Sequence, residues 1–308
     1  MCQGMPQGVQ RAAAWANDHA SQVVLNDLNR RRLTPVSPAS VDATAWAEDP
    51  LVIEMEHRFI EHERAAVARE AAEAPRDAQA FAAWFDRLKQ TGPGQHDPLF
   101  DHLAEHASWA QLCWFMQQEV AGEAGFDDLV ALTQLRMPER AKLELARNYW
   151  DEMGHGKPAA MHGPMLGRLA QALALPPFDA NAVVAESLAL CNLLVGLAYN
   201  RRYAYHALGA LGVIELTAPT RAVRIVEGMD RLGIDRSASH YFRVHAVVDI
   251  AHAQSWRDEI LLPLVQAQPE VAHCIAEGAL MRLTAGARTF ERYRREFAQQ
   301  ASPSACVA

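Results

Sequence analysis

Cysteine is scarce in this chain, and its few copies do not form a motif. The five residues, Cys2, Cys113, Cys191, Cys274 and Cys306, are odd in number and scattered, with no C-x2-C pair. That spacing excludes a zinc knuckle, a cysteine-held iron–sulfur cluster and a disulfide framework, and it fits a reducing cytoplasm. Long hydrophobic runs are also missing. The longest, around Leu188 to Tyr199, is interrupted by Asn192 and is too short to span a bilayer, so no membrane partner is expected. Residues 1–12 lack the charged start and apolar run of a signal peptide. Basic charge is in deficit: 29 Lys and Arg stand against 37 Asp and Glu, a formal net charge of −8. This argues against a nucleic-acid partner held through phosphates. The basic runs Arg30-Arg31-Arg32 and Arg292, Arg294 and Arg295 read as solvated helix faces. Nucleophile elbow, P-loop and dinucleotide fingerprint are all absent.

What is present is helical. Half of the 308 residues are apolar and about a fifth are charged, Ala is abundant, and β-branched clusters are few. Apolar residues recur with a 3.6-residue period almost throughout, and no segment alternates like a strand, so the fold class is all-α. The pattern predicts helices over about 7–31, 50–74, 75–92, 98–135 (with a break near Ala107), 138–152, 157–173, 181–216, 219–232, 237–261 and 269–300. Thr34 to Ser40 reads as a linker and Gly92-Pro93-Gly94 as a loop. In the 98–135 region, Leu112, Met116, Glu119, Glu123, Phe126 and Val130 fall on one seam, which puts two carboxylates on a buried face.

The chemistry is concentrated in His245-Ala246-Val247-Val248-Asp249-Ile250-Ala251-His252. The H-x3-D-x2-H spacing puts two imidazoles and a carboxylate within roughly 60° on one helical stripe. The intervening Val247, Val248, Ile250 and Ala251 predict a helix buried nearly all round. A metal ion would satisfy such a stripe, and a polar network inside a bundle is the alternative. Glu152 is the leading partner from another helix. It precedes Gly154-His155-Gly156, and His162 follows ten residues after it. A straight helix would hold the two Cα atoms about 15 Å apart, but the glycines permit a kink that brings His162 back. Glu54-x2-His57 and His102-x3-His106 have ligand-like spacing in charged surroundings and read as solvated faces. His155 falls near the mouth of the site.

Together, Asp151-Glu152-x-Gly154-x-Gly156-x5-His162 and His245-x3-Asp249-x2-His252 resemble the haem-oxygenase-like diiron oxidases, the iron-containing redox enzyme family. The flanking Phe115-Met116-Gln117-Gln118-Glu119 and Glu144 to Trp150 agree with that resemblance, which covers about residues 95–265. It implies a haem-oxygenase-like bundle of about seven core helices (95–300), with a helical extension (1–94) packed on it and a tail (301–308). It implies two Fe ions per chain held by Glu119, Glu152, His162, His245, Asp249 and His252, with Glu123 as the alternative to Glu119. Glu215 would be a neighbour of the ligands or an extra one. The implied activity is that of an oxidase or oxygenase using O2 as co-substrate on a small metabolite, an amino-acid- or fatty-acid-like molecule. N-oxygenation, desaturation and C–C cleavage are the outcomes known for such enzymes. The expected partners are that small-molecule substrate and an external electron donor, with a homodimer as an allowed assembly.

Overall fold

The computed structural model describes residues 18–38, 48–123 and 125–301, and no strand occurs among them. The first four helices are α1 (His19–Leu33), α2 (Pro50–Ala71), α3 (Ala78–Thr91) and α4 (Pro98–Glu105). Each starts at an aspartate, Asp18, Asp49, Asp77 or Asp97, whose carboxylate accepts a backbone N–H of the first turn. Such caps are worth about 1 kcal/mol apiece. Pro50 and Pro98 take first-turn positions, where no N–H is needed.

The predicted 98–135 region is three helices. After α4 come α5 (Trp109–Glu123) and α6 (Phe126–Thr133). The first break lies at 106–108, and the second at Gly125, whose φ of 105° no helix allows. The single seam through Glu119 and Glu123 into Phe126 and Val130 therefore does not exist. Beyond this lie α7 (Glu139–Glu152), two 3-10 turns at 154–156 and 158–160, and α8 (His162–Ala172).

The predicted 181–216 helix is split at Asn200, whose side chain caps a short 3-10 turn at Arg201–Tyr203. The pieces are α9 (Ala185–Tyr199) and α10 (Ala204–Arg231). α10 then runs straight through Pro219, where the sequence predicts a stop. A mid-helix proline costs about 3 kcal/mol. Here buried packing on both sides of Pro219 outweighs that cost, and Thr217 Oγ1 back-bonds to the Val213 carbonyl at 2.7 Å. α11 (His240–Ser255) ends in a π-helical turn, Trp256–Leu261, and α12 (Leu262–Ala267) and α13 (Val271–Ala301) close the chain.

α10 and α13 form the central pair. Their backbones touch because Gly209 and Gly278 carry no Cβ; one added at either would lie 1.9 Å from the Ile275 or His206 carbonyl oxygen. α9 is apolar on most of its circumference and is buried accordingly. Asn192, the interruption in its sequence, takes up a polar job: its amide bonds the carbonyl and side chain of Gln22 and accepts from Asn29, fastening α1 to α9. Leu25, Phe59 and Phe81 of α1–α3 share one apolar cluster with Leu193, Leu208 and Ile275. No helix among the described residues is long and apolar enough to cross a membrane.

Candidate metal centre

α11 contradicts one expectation directly. It is not buried all round: Val247 and Ile250 are 70% and 58% exposed, while Asp249 and His252 are buried. The helix lies on the surface with its polar stripe turned inward. Hydrophobic burial alone would rotate it the other way, so the groups its stripe meets inside must decide the orientation.

Those groups form two triads. In the first, His162 Nδ1 lies 2.7 Å from Glu152 Oε2, and His245 Nε2 lies 4.0 Å from Glu152 Oε1. In the second, His252 Nδ1 lies 3.3 Å from Glu215 Oε2 and 3.9 Å from Asp249 Oδ1. Within each triad, one donor atom from every residue falls within 4.8 Å of the others. The chain between Glu152 and His162 departs from a helix as the glycines predict. Gly154, His155 and Gly156 are all left-handed, with φ of 57°, 53° and 76°, which folds α8 back onto the end of α7.

Neighbouring groups set which nitrogen faces inward. His245 Nδ1 is 2.8 Å from the Tyr241 carbonyl. A carbonyl only accepts, so Nδ1 carries the hydrogen and Nε2 presents its lone pair to Glu152. His252 Nε2 lies 3.0 Å from Asp151 Oδ2 and Nδ1 faces Glu215 and Asp249. Asp151 is shared with the exposed His155, 3.0 Å away at the mouth. Asn148 Nδ2 donates to Glu215 Oε1 at 2.7 Å, which leaves Oε2 for His252.

The electrostatics are split. Burial pushes His245 down to about 3, helped by His162 and His252 nearby, so it is neutral. Burial acts the same way on His252, but the Glu215 contact, Asp151 and Glu152 overcome it and raise the imidazole to about 9. Burial raises Glu152, against the pull of His162. A metal ion fits here on two grounds. His162 Nδ1 and His252 Nδ1 are buried, lie beside carboxylates and yet make no well-formed hydrogen bond. Each triad also offers a mixed imidazole and carboxylate donor set, which suits iron or manganese.

Five of the six residues expected as ligands, Glu152, His162, His245, Asp249 and His252, meet in these triads, and Glu215 is the sixth member. Glu119 stands elsewhere. It lines the same cavity but accepts a hydrogen bond from Tyr293 at 3.0 Å, and it belongs to neither triad. Glu123 lies outside the residues whose side chains are described. The signal for Glu215 was available in the sequence as a lone acid inside the apolar run Ala207–Thr217. Asp151 and Asn148 gave none beyond adjacency to Glu152. The decoys join neither triad: Glu54 pairs with Arg58 at the surface and His106 is exposed, whereas His57 is half-buried against Asn200 and His102 half-buried beside the Phe297 ring, so those two are not the solvated groups expected.

A family model described as iron-containing redox enzyme matches residues 113–287. The chain belongs to that family. Every triad residue falls inside the matched segment. Among solved structures, members of the haem-oxygenase-like fold resemble it. A CADD-like protein of unknown function from Nostoc punctiforme is 18% identical, with a TM-score of 0.57 over 73% of this chain and 97% of that one. A domain of unknown function with a haem-oxygenase-like fold from Shewanella denitrificans is 14% identical, with a TM-score of 0.51 over 73% and 94%. At such identities the likeness establishes the fold and nothing about substrate. No curated protein matches the chain. The ligand-type residues lie on α7, α8, α10 and α11.

Proposed function

We propose that this iron-containing redox enzyme is an O2-activating non-haem diiron oxidase or oxygenase acting on a small metabolite. One observation carries the reading: two three-residue donor sets, both drawing on α11, border a single cavity. That cavity, ≈ 100 Å³ in volume, is lined by Glu152, Glu215, His245 and Asp249 on one side and by apolar side chains such as Phe126, Leu194, Ile214 and Phe242 elsewhere. Glu152, His162 and His245 would hold one iron and Glu215, Asp249 and His252 the other. When bound and reduced, such a pair supplies electrons for the reduction of O2, with an external donor restoring them.

The protein's own contribution is orientation and dryness. The Tyr241 carbonyl, Asp151 and Asn148 each fix one side of a ligand, so that its other side faces the metal. The apolar wall keeps water from the reacting centre and orders the substrate there. A reducing compartment suits ferrous loading and the free Cys113, Cys191 and Cys274. A haem-binding relative is the poorer reading, because haem needs one proximal imidazole and leaves the three carboxylates unexplained. Anaerobic ferrous titration should saturate near two equivalents, and admitting O2 should give a transient optical change with O2 uptake. Saturation at one equivalent would instead support a mononuclear centre of two histidines and a carboxylate, and no saturation would support a metal-free polar network.

A further inference from the structure

A third donor cluster lies outside the two triads and outside the cavity they border. One donor atom from each of His206, Cys274 and Glu277 falls within 4.8 Å of the others, and none of the three lines the cavity. His206 is in the first turn of α10, nine residues before Glu215 and thus about 14 Å from it along the axis. Cys274 and Glu277 stand one turn apart on α13, with His273 four residues before Glu277. The close crossing of α10 on α13 brings the imidazole to them. Gly278, next to Glu277, has no Cβ, and one placed there would strike the His206 backbone.

An ion-pair network accounts for only part of this cluster. Glu277 Oε2 accepts from Arg64 Nε at 2.9 Å and lies 2.9 Å from His206 Nε2, while Oε1 lies 3.3 Å from His273 Nε2. Arg64, half-exposed on α2, also holds Glu61 at 3.0 Å. His206 Nδ1 is buried and has no hydrogen-bond partner. In either tautomer the ring therefore keeps one unsatisfied nitrogen, a costly state for an interior imidazole. The thiol is not a reactive one. Burial, then the charge of Glu277, hold it above its ordinary value, which disfavours the thiolate that a redox sensor would need.

We propose that His206, Cys274 and Glu277 form a second kind of metal site, for zinc, which fastens the start of α10 to the start of α13. A sulfur, a nitrogen and an oxygen donor are the ligands zinc takes, whereas both triads offer only nitrogen and oxygen. The softer donor thus separates the two metals: zinc goes to the thiol, and iron has no sulfur to compete for. Zinc bond lengths set tetrahedral donors about 3.3–3.8 Å apart, so the cluster has to close by about 1 Å at most, which side-chain rotation can supply. Thiolate and carboxylate together neutralise a divalent ion, so Arg64 is not repelled and keeps its hold on Glu61. The fourth position is open to water or to the half-exposed His273, past which the ion enters.

The test uses full-length protein stripped of metal and titrated anaerobically with zinc and with cobalt(II). Cobalt held by a thiolate gives an intense sulfur-to-metal absorption in the near ultraviolet. Nitrogen and oxygen ligands give none, so the triads are silent in it. Wild type, Cys113→Ser and Cys191→Ser should all develop this band, saturating at one equivalent, and added zinc should bleach it. Cys274→Ser should show no band and bind one zinc fewer than wild type, while taking up as many ferrous ions. Zinc should also raise the melting temperature of wild type more than that of Cys274→Ser.

Glu277→Gln, or His206→Gln where the first does not fold by circular dichroism, should weaken cobalt and zinc at this site at least tenfold. Wild-type protein without the band, a band that survives in Cys274→Ser, or equal zinc stoichiometry in the two would overturn the proposal. So would a band lost in Cys274→Ser but unchanged in the Glu277 and His206 variants, since a lone thiol would then be the ligand. The result is independent of the iron centre: a thiolate band in protein that takes up no ferrous ion leaves this site standing, and two ferrous equivalents without a band remove it alone.

Discussion

Replacing Gly154 by Ala should disable the first triad without touching a ligand. Gly154 sits at φ 57°, and an added Cβ would lie 2.3, 2.5 and 2.7 Å from the carbonyl carbon, carbonyl oxygen and Cβ of Ala160. Ordinary carbon contacts are about 3.5–4.0 Å, and the main-chain atoms among these cannot rotate away, so the loop from 154 to 160 has to open by about 1 Å. Left-handed backbone costs a residue with a Cβ about 1–2 kcal/mol, and overpacking adds about 1–3 kcal/mol. The stability loss should therefore be about 2–5 kcal/mol. That loop is also the link between Glu152 and His162, whose donor atoms stand 2.7 Å apart. A metal site tolerates only about 0.5 Å of displacement, so ferrous affinity at this triad should fall at least tenfold.

Two companions calibrate the result. Gly156→Ala has the same backbone problem at φ 76°, but its Cβ meets only the tip of the half-exposed Trp150 ring at 3.0 Å, which can swing aside. It should lose about 1–2 kcal/mol and keep most of its metal affinity. Gly167 lies in α8 with nothing within 4 Å of its would-be Cβ. Gly167→Ala should gain up to about 1 kcal/mol. Thermal melts of metal-free protein and anaerobic ferrous titrations should rank the variants 167, 156, 154. A Gly154→Ala protein that melts at or above wild type and still binds two irons would refute the argument, because the tight turn would then not be what brings Glu152 and His162 together.

Glu215→Ala should reduce ferrous stoichiometry from two to one, while Glu119→Ala should keep both, read by anaerobic titration. The metal-free protein should lose stability as pH rises from 6.5 towards 9. His252 has its folded pKa raised to about 9, so the stability it contributes is complete below 6.5 and is lost as the pH climbs through the folded value. His245, held down at about 3, acts below that window: stability falls from pH 6.5 downward as the unfolded chain takes up a proton that the native residue refuses. Melting temperature against pH should thus decline above 6.5, and iron-loaded protein should be flat there, because a metal-bound imidazole stays neutral and takes up no second proton. Arg32 and Glu56 form a two-point ion pair, 2.9 and 3.2 Å, with both side chains buried, beneath the Tyr199 ring. Arg32→Ala should cost about 3–5 kcal/mol in urea unfolding, because it strands a buried carboxylate.

How far the sequence carried these conclusions depended on where the determining partner lies. The all-α class and the inward stripe of α11 were legible because helical periodicity and i, i+4, i+7 spacing are local. The kink after Glu152 was legible for the same reason, since glycine permits what other residues resist within three positions. Glu119, with Glu123 as its alternative, came from the residues flanking it, Phe115 to Gln118, and flanking sequence does not report that Glu119 turns to Tyr293 and joins neither triad. Glu215 reads from the sequence only as a neighbour of the ligands or an extra one. The continuous α10 instead places it mid-helix, where Asn148 holds one carboxylate oxygen and turns the other towards His252. Asn148 is 67 positions away, and no periodicity reports that distance. The exposure of Val247 and Ile250 has the same origin. Read alone, α11 should bury Val247 and Ile250; it turns them outward because the opposing carboxylates come from α7 and α10. Orientation at a polar site is thus set by the chemistry it must satisfy, and hydropathy decides only among the helices that have no such obligation.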